Sequence, residues 1–401
     1  MRLTRRRWMA AAGVAAASAA LPPSSRGAAS PAPALPPALK PEVFRERQAK
    51  LRTAAKARGL DALFVTPSTN LAYAANLAMG RSERLTALLL FADGPAVLIT
   101  PFFEAENHGR DALVDEVLTW KEEEDPIPLA AKALGRARTL GIEGTTAYGT
   151  AARLLSAAAL EARDATDLFD ALRMIKTDEE QALIREAARR TNLAIAATHG
   201  KLARGISESE VVTLLEAEFQ KLGVHGGGLV QFGPSAALPH GGPGDRKLAS
   251  GDVVLIDAGC KVRGYTSDLT RTVAFGSPSD EVRKVYSAVD RAQVAGIGAL
   301  TAGATGEEVD RAARRVLEEA GYGSSFTHRL GHGLGMDGHE HPYLVRGNTT
   351  PLSAGNTVTV EPGIYLPGKL GVRIEDDYGV RASSPPASLS TRPGDLTIIS
   401  P

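Results

Sequence analysis

Several acidic and histidine residues near the C-terminal end are spaced as a chemical site would need them. The apolar run Val253-Val-Leu-Ile-Asp257-Ala-Gly259 reads as a strand with a carboxylate near its end. A buried, unpaired Asp is costly, so Asp257 calls for a partner. Asp268 lies in Tyr265-Thr-Ser-Asp-Leu-Thr-Arg-Thr272, a second strand by its threonines and alternation. Positions 257 and 268 are symmetric about residues 262 and 263, and Gly264 suits a turn. A hairpin of that register sets the two carboxylates face to face; another register leaves both solvated. The device recurs downstream. Thr357-Val-Thr-Val-Glu361 and Gly371-Val-Arg-Ile-Glu375 are strands ending in acids, and Glu361 and Glu375 are symmetric about Gly368. Arg373 shares a strand face with Glu375 and can point into the same cleft.

Of the eight histidines, His328, His332, His339 and His341 fall within fourteen residues, 328–341. Glycines flank His332 and allow a close backbone approach. One histidine beside four carboxylates is an oxygen-rich donor set that suits Mn²⁺, Co²⁺ or Zn²⁺. Four carboxylates on one ion would be excessive charge, so two bridged divalent ions balance the set better. The one cysteine, Cys260, excludes an intrachain disulfide and a thiolate metal cluster.

The elements that must position these groups form an α/β (α+β) chain of two domains. Over 42–172 a polar helix and the apolar strands Asp61–Thr66, Ala87–Phe91 and Ala96–Thr100 predict a mixed-sheet α/β domain. Asp93-Gly94 marks a hairpin between the last two. Asn70, Tyr73 and His108 read as core or surface residues rather than ligands. The second domain, 173–401, opens at Thr177-Asp-Glu-Glu180, a capping box. Gly205, Ser207, Glu210, Val211 and Gly223 recur 98 residues later as Gly303, Thr305, Glu308, Val309 and Gly321. That repeat predicts a duplicated helix–helix–hairpin unit about a pseudo-two-fold axis, with a shared cleft.

The formal net charge is zero, which argues against a nucleic-acid partner. Residues 1–21 combine a basic start containing Arg5-Arg6 with an Ala-rich run, the pattern of a twin-arginine-type signal peptide. Export to the periplasm is the expectation. Residues 22–41 are Pro-rich and read as a disordered linker. No stretch after the leader is apolar enough for a bilayer span, and no stable membrane anchor is expected.

The order Asp257, Asp268, His332, Glu361, Glu375 resembles the ligand set of the pita-bread metallopeptidases, the creatinase/prolidase/aminopeptidase P family. Pro239-His240-Gly-Gly, Leu255-Ile-Asp-Ala-Gly259, Gly331-His-Gly-Leu-Gly335, His339-Glu-His-Pro342, Glu361-Pro-Gly-Ile-Tyr365 and Arg373-Ile-Glu375 carry the likeness, which spans roughly 42–401. It implies that Asp268 and Glu375 bridge two divalent ions, with Asp257 completing one and His332 and Glu361 the other. It implies Glu361 as general base, and His240 and His339 as substrate-binding groups that steady the oxyanion. His328 and Arg373 are similar to the pocket around proline and its carboxylate, and Tyr365 matches a position near the site. His341 reads as a rim residue. The implied activity is that of an Xaa-Pro dipeptidase acting on a small peptide with proline second, in a homodimer. Aminopeptidase P action on longer peptides, a lyase or non-peptide hydrolase, and a non-catalytic binding module are the alternatives.

Overall fold

The computed structural model describes residues 2–4, 33–239, 241–242, 244–383 and 385–401. Most of the predicted leader, most of the Pro-rich segment, and His240 lie outside the described residues. The described chain divides into two compact units, Leu39–Leu172 and Arg173–Pro401, the latter including residues 33–38.

The first unit is built on a seven-stranded mixed sheet: β1 (Arg2–Thr4), β2 (Ala62–Val65), β3 (Ala87–Phe91), β4 (Ala96–Pro101), β5 (Glu116–Trp120), β6 (Thr139–Ile142) and β7 (Glu161–Asp164), in the order β1-β5-β4-β3-β2-β6-β7. Its central strands are short and buried along their whole length, which is why they read as unbroken apolar runs rather than alternating ones. The hairpin β3–β4 turns at Asp93-Gly94 as expected. Helices α1 (Pro41–Ala57), α2 (Pro126–Leu134) and α3 (Tyr148–Ala158) accompany it. One core gathers Phe64, Leu89, Ile99, Trp120, Ile127, Leu140 and Leu154. Asn70 is buried on Glu143, Tyr73 under Arg47, and His108 bonds Thr100, all structural roles.

The second unit repeats one motif. Helices α4 (Asp178–His199) and α5 (Glu208–Lys221) precede β8 (Gly226–Phe232), β9 (Val253–Val262), β10 (Tyr265–Thr266) and β11 (Leu269–Phe275). Helices α6 (Asp280–Ala299) and α7 (Gly306–Glu319) precede β12 (Gly331–Gly333), β13 (Glu340–Leu344), β14 (Thr357–Val360), β15 (Gly363–Leu366), β16 (Leu370–Arg373) and β17 (Asp376–Gly379). Short strands β18 (Ala387–Ser388) and β19 (Ile398–Ile399) finish the two sheets, β19 beside β11 and β18 beside β17.

The duplication holds at the level of single hydrogen bonds. Ser207 and Thr305 cap α5 and α7 with complete capping boxes to Glu210 and Glu308. Gly205 N–H donates to Leu248 O at 2.9 Å, and Gly303 N–H to Leu352 O at 2.8 Å. Asp252 and Asn356 each accept from the backbone three residues before them. Equal wiring of two helix–turn–strand units around one core puts the ends of β9 and β14 in equivalent places. Asp257 lies midway along β9, which runs on past it to Val262 rather than ending near it, and Glu361 immediately follows β14.

Candidate active site

The first hairpin has a different register from the symmetric one. Arg263 and Gly264 both have positive φ, 51° and 87°, so β9 and β10 are joined by a two-residue turn. Tyr265 pairs with Val262 and Thr270 with Asp257. A two-residue turn of this kind, with both central residues left-handed, matches the twist of the flanking strands. Asp268 therefore stands diagonally from Asp257 on the same face, not opposite it, at a break between β10 and β11. The second hairpin keeps the register symmetric about Gly368: Gly363 pairs with Arg373, and Val360 with Asp376. Glu361 and Glu375 oppose each other where the ladder opens between β14 and β15. Glu375 N–H donates across to Thr270 O at 3.2 Å, which joins the two repeats.

His332 comes from β12. A Cβ on Gly331 would lie 2.1 Å from Thr359 O, and one on Gly333 2.3 Å from His341 O. Only glycine at both positions lets β12 sit between β13 and β14 and carry the imidazole inward. His332 Nδ1 donates to Gly333 O at 3.0 Å. Its Nε2 faces Glu361 Oε1 at 3.3 Å and Asp268 Oδ2 at 3.9 Å.

The result is a cavity of about 520 Å³ lined by Pro239, Asp257, Asp268, His328, Arg329, His332, His339, Glu361, Arg373 and Glu375. Ligand atoms of Asp257, Asp268 and Glu375 lie within 4.8 Å of one another, as do those of His332, Glu361 and Glu375. Burial, reinforced by Asp257, Asp377 and Glu361, pushes the Asp268 carboxyl well above its usual range. Burial does the same to Glu375, with Asp268 and Glu361 adding to it. Burial also works to raise Glu361, but the hydrogen bond and charge of His332 and the charge of Arg373 hold it below the usual range. Four carboxylates and an imidazole converging on one cavity form a cation site by their chemistry. The donor set fits two divalent ions: Asp257, Asp268 and Glu375 on one side, and His332, Glu361 and Glu375 on the other.

Arg373 lines the cavity, as its strand face suggested, but much of its guanidinium is already engaged. It is buried, and Nη2 meets Asp257 Oδ2 at 2.5 Å, Nε donates to Thr270 Oγ1 at 3.0 Å, and Nη1 to Tyr365 OH at 2.9 Å. Tyr365 OH lies 2.8 Å from His328 Nε2, and His328 Nδ1 lies 2.7 Å from Arg329 O. Burial pushes the Tyr365 phenol to about 12, so it stays a donor. The line Arg373, Tyr365, His328 thus fixes each proton by the next acceptor. His339 stands at the exposed rim with its ring 3.9 Å from that of His332. Arg329 Nη2 donates to His339 Nδ1 at 3.1 Å, which leaves the neutral ring's proton on Nε2. Burial first, then the neighbouring His332 and Arg329, hold His339 below the usual histidine range. His341 is exposed and packs on Tyr343, away from the lining.

Sequence reasoning passed over Thr270, Arg329 and Asp377. Thr270 Oγ1 donates to Glu375 Oε2 at 2.7 Å, and Asp377 Oδ2 accepts Asp268 N–H at 3.3 Å. Strand parity carries a signal for two of them, since Thr270 and Asp377 lie two residues from Asp268 and Glu375 on the same faces.

Residues 182–382 match the model of metallopeptidase family M24, and residues 47–175 that of the creatinase/prolidase N-terminal domain. A Staphylococcus aureus protein named as an uncharacterized peptidase is 38% identical over 324 residues, 79% of this chain and 91% of the relative. The Xaa-Pro dipeptidase of Bacillus anthracis superposes with a TM-score of 0.82 at 34% identity, covering 88% of this chain and 99% of its own. The X-Pro aminopeptidase of Thermotoga maritima gives 0.78 at 30% identity, covering 86% and 100%. The chain belongs to metallopeptidase family M24, and joins a creatinase/prolidase-type N-terminal domain to a pita-bread peptidase domain.

Proposed function

We propose that this peptidase hydrolyses the bond preceding proline in dipeptides, with two divalent ions, Mn²⁺ foremost, held by Asp257, Asp268, His332, Glu361 and Glu375. The observation that carries this reading is the convergence of those five side chains on one cavity. Two such ions would lower the pKa of a water and polarise the scissile carbonyl.

The chain's own groups supply the rest. Glu361, kept ionised beside His332, accepts the proton of the attacking water and delivers it to the leaving proline nitrogen. That nitrogen is a tertiary amide with no N–H, so it must gain a proton as it departs. His339 offers its Nε2–H toward the carbonyl oxygen as charge develops there. His328 and Tyr365, locked in one hydrogen-bonded line, form the wall against which the proline ring would rest. His240 is proposed as a further substrate-binding group. Arg373 acts by holding Asp257 and Tyr365 in place, and its remaining N–H bonds serve a substrate carboxylate.

The assay compares Ala-Pro, Ala-Pro-Ala and Ala-Ala with Mn²⁺ supplied. Release of Ala from Ala-Pro alone supports the dipeptidase. Preference for the tripeptide selects the X-Pro aminopeptidase reading, which the likeness to the Thermotoga maritima protein favours. Equal cleavage of Ala-Ala, or none of the three, overturns the proline specificity.

The protein is further proposed to be exported through the twin-arginine route, on the strength of Arg5-Arg6 and the weakly apolar run after them. Replacing both arginines with lysine should hold the precursor in the cytoplasm; unchanged export would refute it. A homodimer is the proposed assembly, and sedimentation at the mass of one chain would refute that.

A further inference from the structure

Behind the acidic hairpins lies a second polar network that faces away from the cavity. Its centre is Arg271, which is buried. Nη1 donates to Glu375 O at 2.6 Å and to Thr270 O at 3.0 Å. Nη2 donates to Asp376 Oδ1 at 2.7 Å, Thr391 O at 2.8 Å and Asn192 Oδ1 at 3.0 Å. Asp376 is fully buried and spends its other oxygen on Gln293 Nε2 at 3.0 Å, while Ser390 Oγ donates to Oδ1 at 2.6 Å. Gln293, also fully buried, donates to Val360 O at 3.2 Å and accepts from Arg392 Nε at 2.8 Å.

These bonds end on the backbone of the site itself. Glu375 O belongs to one acid, Val360 immediately precedes Glu361, and Thr270 is the hydroxyl that bonds Glu375 Oε2. Glu361 and Glu375 fall in the gap between the β14–β17 and β15–β16 pairings, and each keeps one donated backbone bond, Glu361 N–H to Leu330 O at 2.8 Å and Glu375 N–H to Thr270 O at 3.2 Å. A carboxylate cluster that repels itself would spread through such an opening unless its backbone were held from behind.

We propose that Arg271, Asp376 and Gln293 form a positioning strut, closed by Ser390 to Arg392 of the C-terminal segment, that holds Glu361 and Glu375 at ion-binding separation. This rests on the metal reading above and adds residues that touch neither substrate nor ion. A strut differs from generic core packing in its consequence. Loosening it weakens ion uptake out of proportion to stability, because two donors move apart while the hydrophobic core is untouched.

The experiment measures Mn²⁺ uptake by calorimetry, and the exchange-coupled Mn²⁺ signal by electron paramagnetic resonance, alongside thermal melting of the metal-stripped proteins. Arg271→Gln should weaken uptake by roughly tenfold or more and reduce the coupled signal, the usual scale for groups behind metal ligands. Arg271→Lys, which keeps the charge but not the fork, should recover part of it. Should Arg271→Gln not fold, the rim variants decide: Ser390→Ala, which gives up Asp376 and the Asp377 N–H, and Arg392→Met, which gives up Gln293 along with Asp290, should each weaken uptake by about threefold, with a smaller effect on melting than on uptake. Unchanged uptake and coupling in folded Arg271→Gln, or in both rim variants, overturns the strut. A parent protein that takes up no Mn²⁺ refutes the metal reading itself, and the strut with it.

Discussion

Asp268→Asn separates the cost of the acid cluster from its use. Asp257, Asp268 and Glu375 present oxygens within 4.8 Å of one another. Two charges at that distance repel by about 3 kcal/mol at an effective dielectric near 20. The metal-stripped native state answers by keeping a proton, so the Asp268 carboxyl titrates well above its value in the unfolded chain. The sign follows. Below the ordinary carboxyl range both states are protonated and nothing is lost. As pH rises toward neutral the unfolded chain gives up its proton and the native protein does not, so stability falls with rising pH. Asparagine fills the same space without charge. The metal-stripped variant should therefore be more stable than the metal-stripped parent at pH 7.5 by about 1–3 kcal/mol. In a unit of this size each kcal/mol raises the melting temperature by about 2–4 °C. The advantage should shrink at pH 4. With Mn²⁺ the gap closes or reverses: an ion at a hundred times its dissociation constant stabilises the parent by about 2.7 kcal/mol, and the variant gains little. Thermal melts with chelator and with Mn²⁺, at pH 4 and 7.5, read all four values. A stripped variant less stable than the stripped parent at pH 7.5, or an equal Mn²⁺ shift in both, would refute the cluster argument.

Two further outcomes test the surrounding structure. Burial, with the charge of Arg271, drives the His199 imidazole down to about 4, and its Nε2 is buried with no hydrogen-bond partner. The unfolded chain takes up that proton first, so the parent should lose about 3 kcal/mol between pH 6.5 and 4; His199→Leu should flatten that part of the pH–stability curve, and an unchanged slope would show the group is not responsible. Thr305 caps α7 by accepting Glu308 N–H at 3.2 Å, so Thr305→Ala should cost about 1 kcal/mol in chemical denaturation, and a loss under a few tenths would mean that the paired Glu308 carries the cap.

Much of the fold was legible because it is written in short-range terms. The runs at Asp61, Ala87 and Ala96 are apolar throughout, as strands buried on both faces must be. The capping boxes at Thr177, Ser207 and Thr305 need only four residues each to be recognised, and the repeat of 98 residues needs only a comparison of the chain with itself. The second hairpin kept its symmetric register because nothing between Glu361 and Glu375 perturbs a regular ladder centred on Gly368. The first hairpin did not. Its turn forces Arg263 into the left-handed region, and arginine does not announce that conformation as asparagine or glycine would.

By itself the sequence singled out the candidate groups: carboxylates in or beside strands, and a histidine between glycines that nothing larger can replace. The tertiary structure alone decided how those groups are held. That Arg373 turns inward to Asp257, and that Arg271 ties Thr270 to Glu375, depend on residues about a hundred positions apart. Periodicity and capping are local, and they select strands and helices one at a time. A buried donor must find its acceptor wherever the packed chain brings one, and only the assembled repeats place those partners within hydrogen-bond reach.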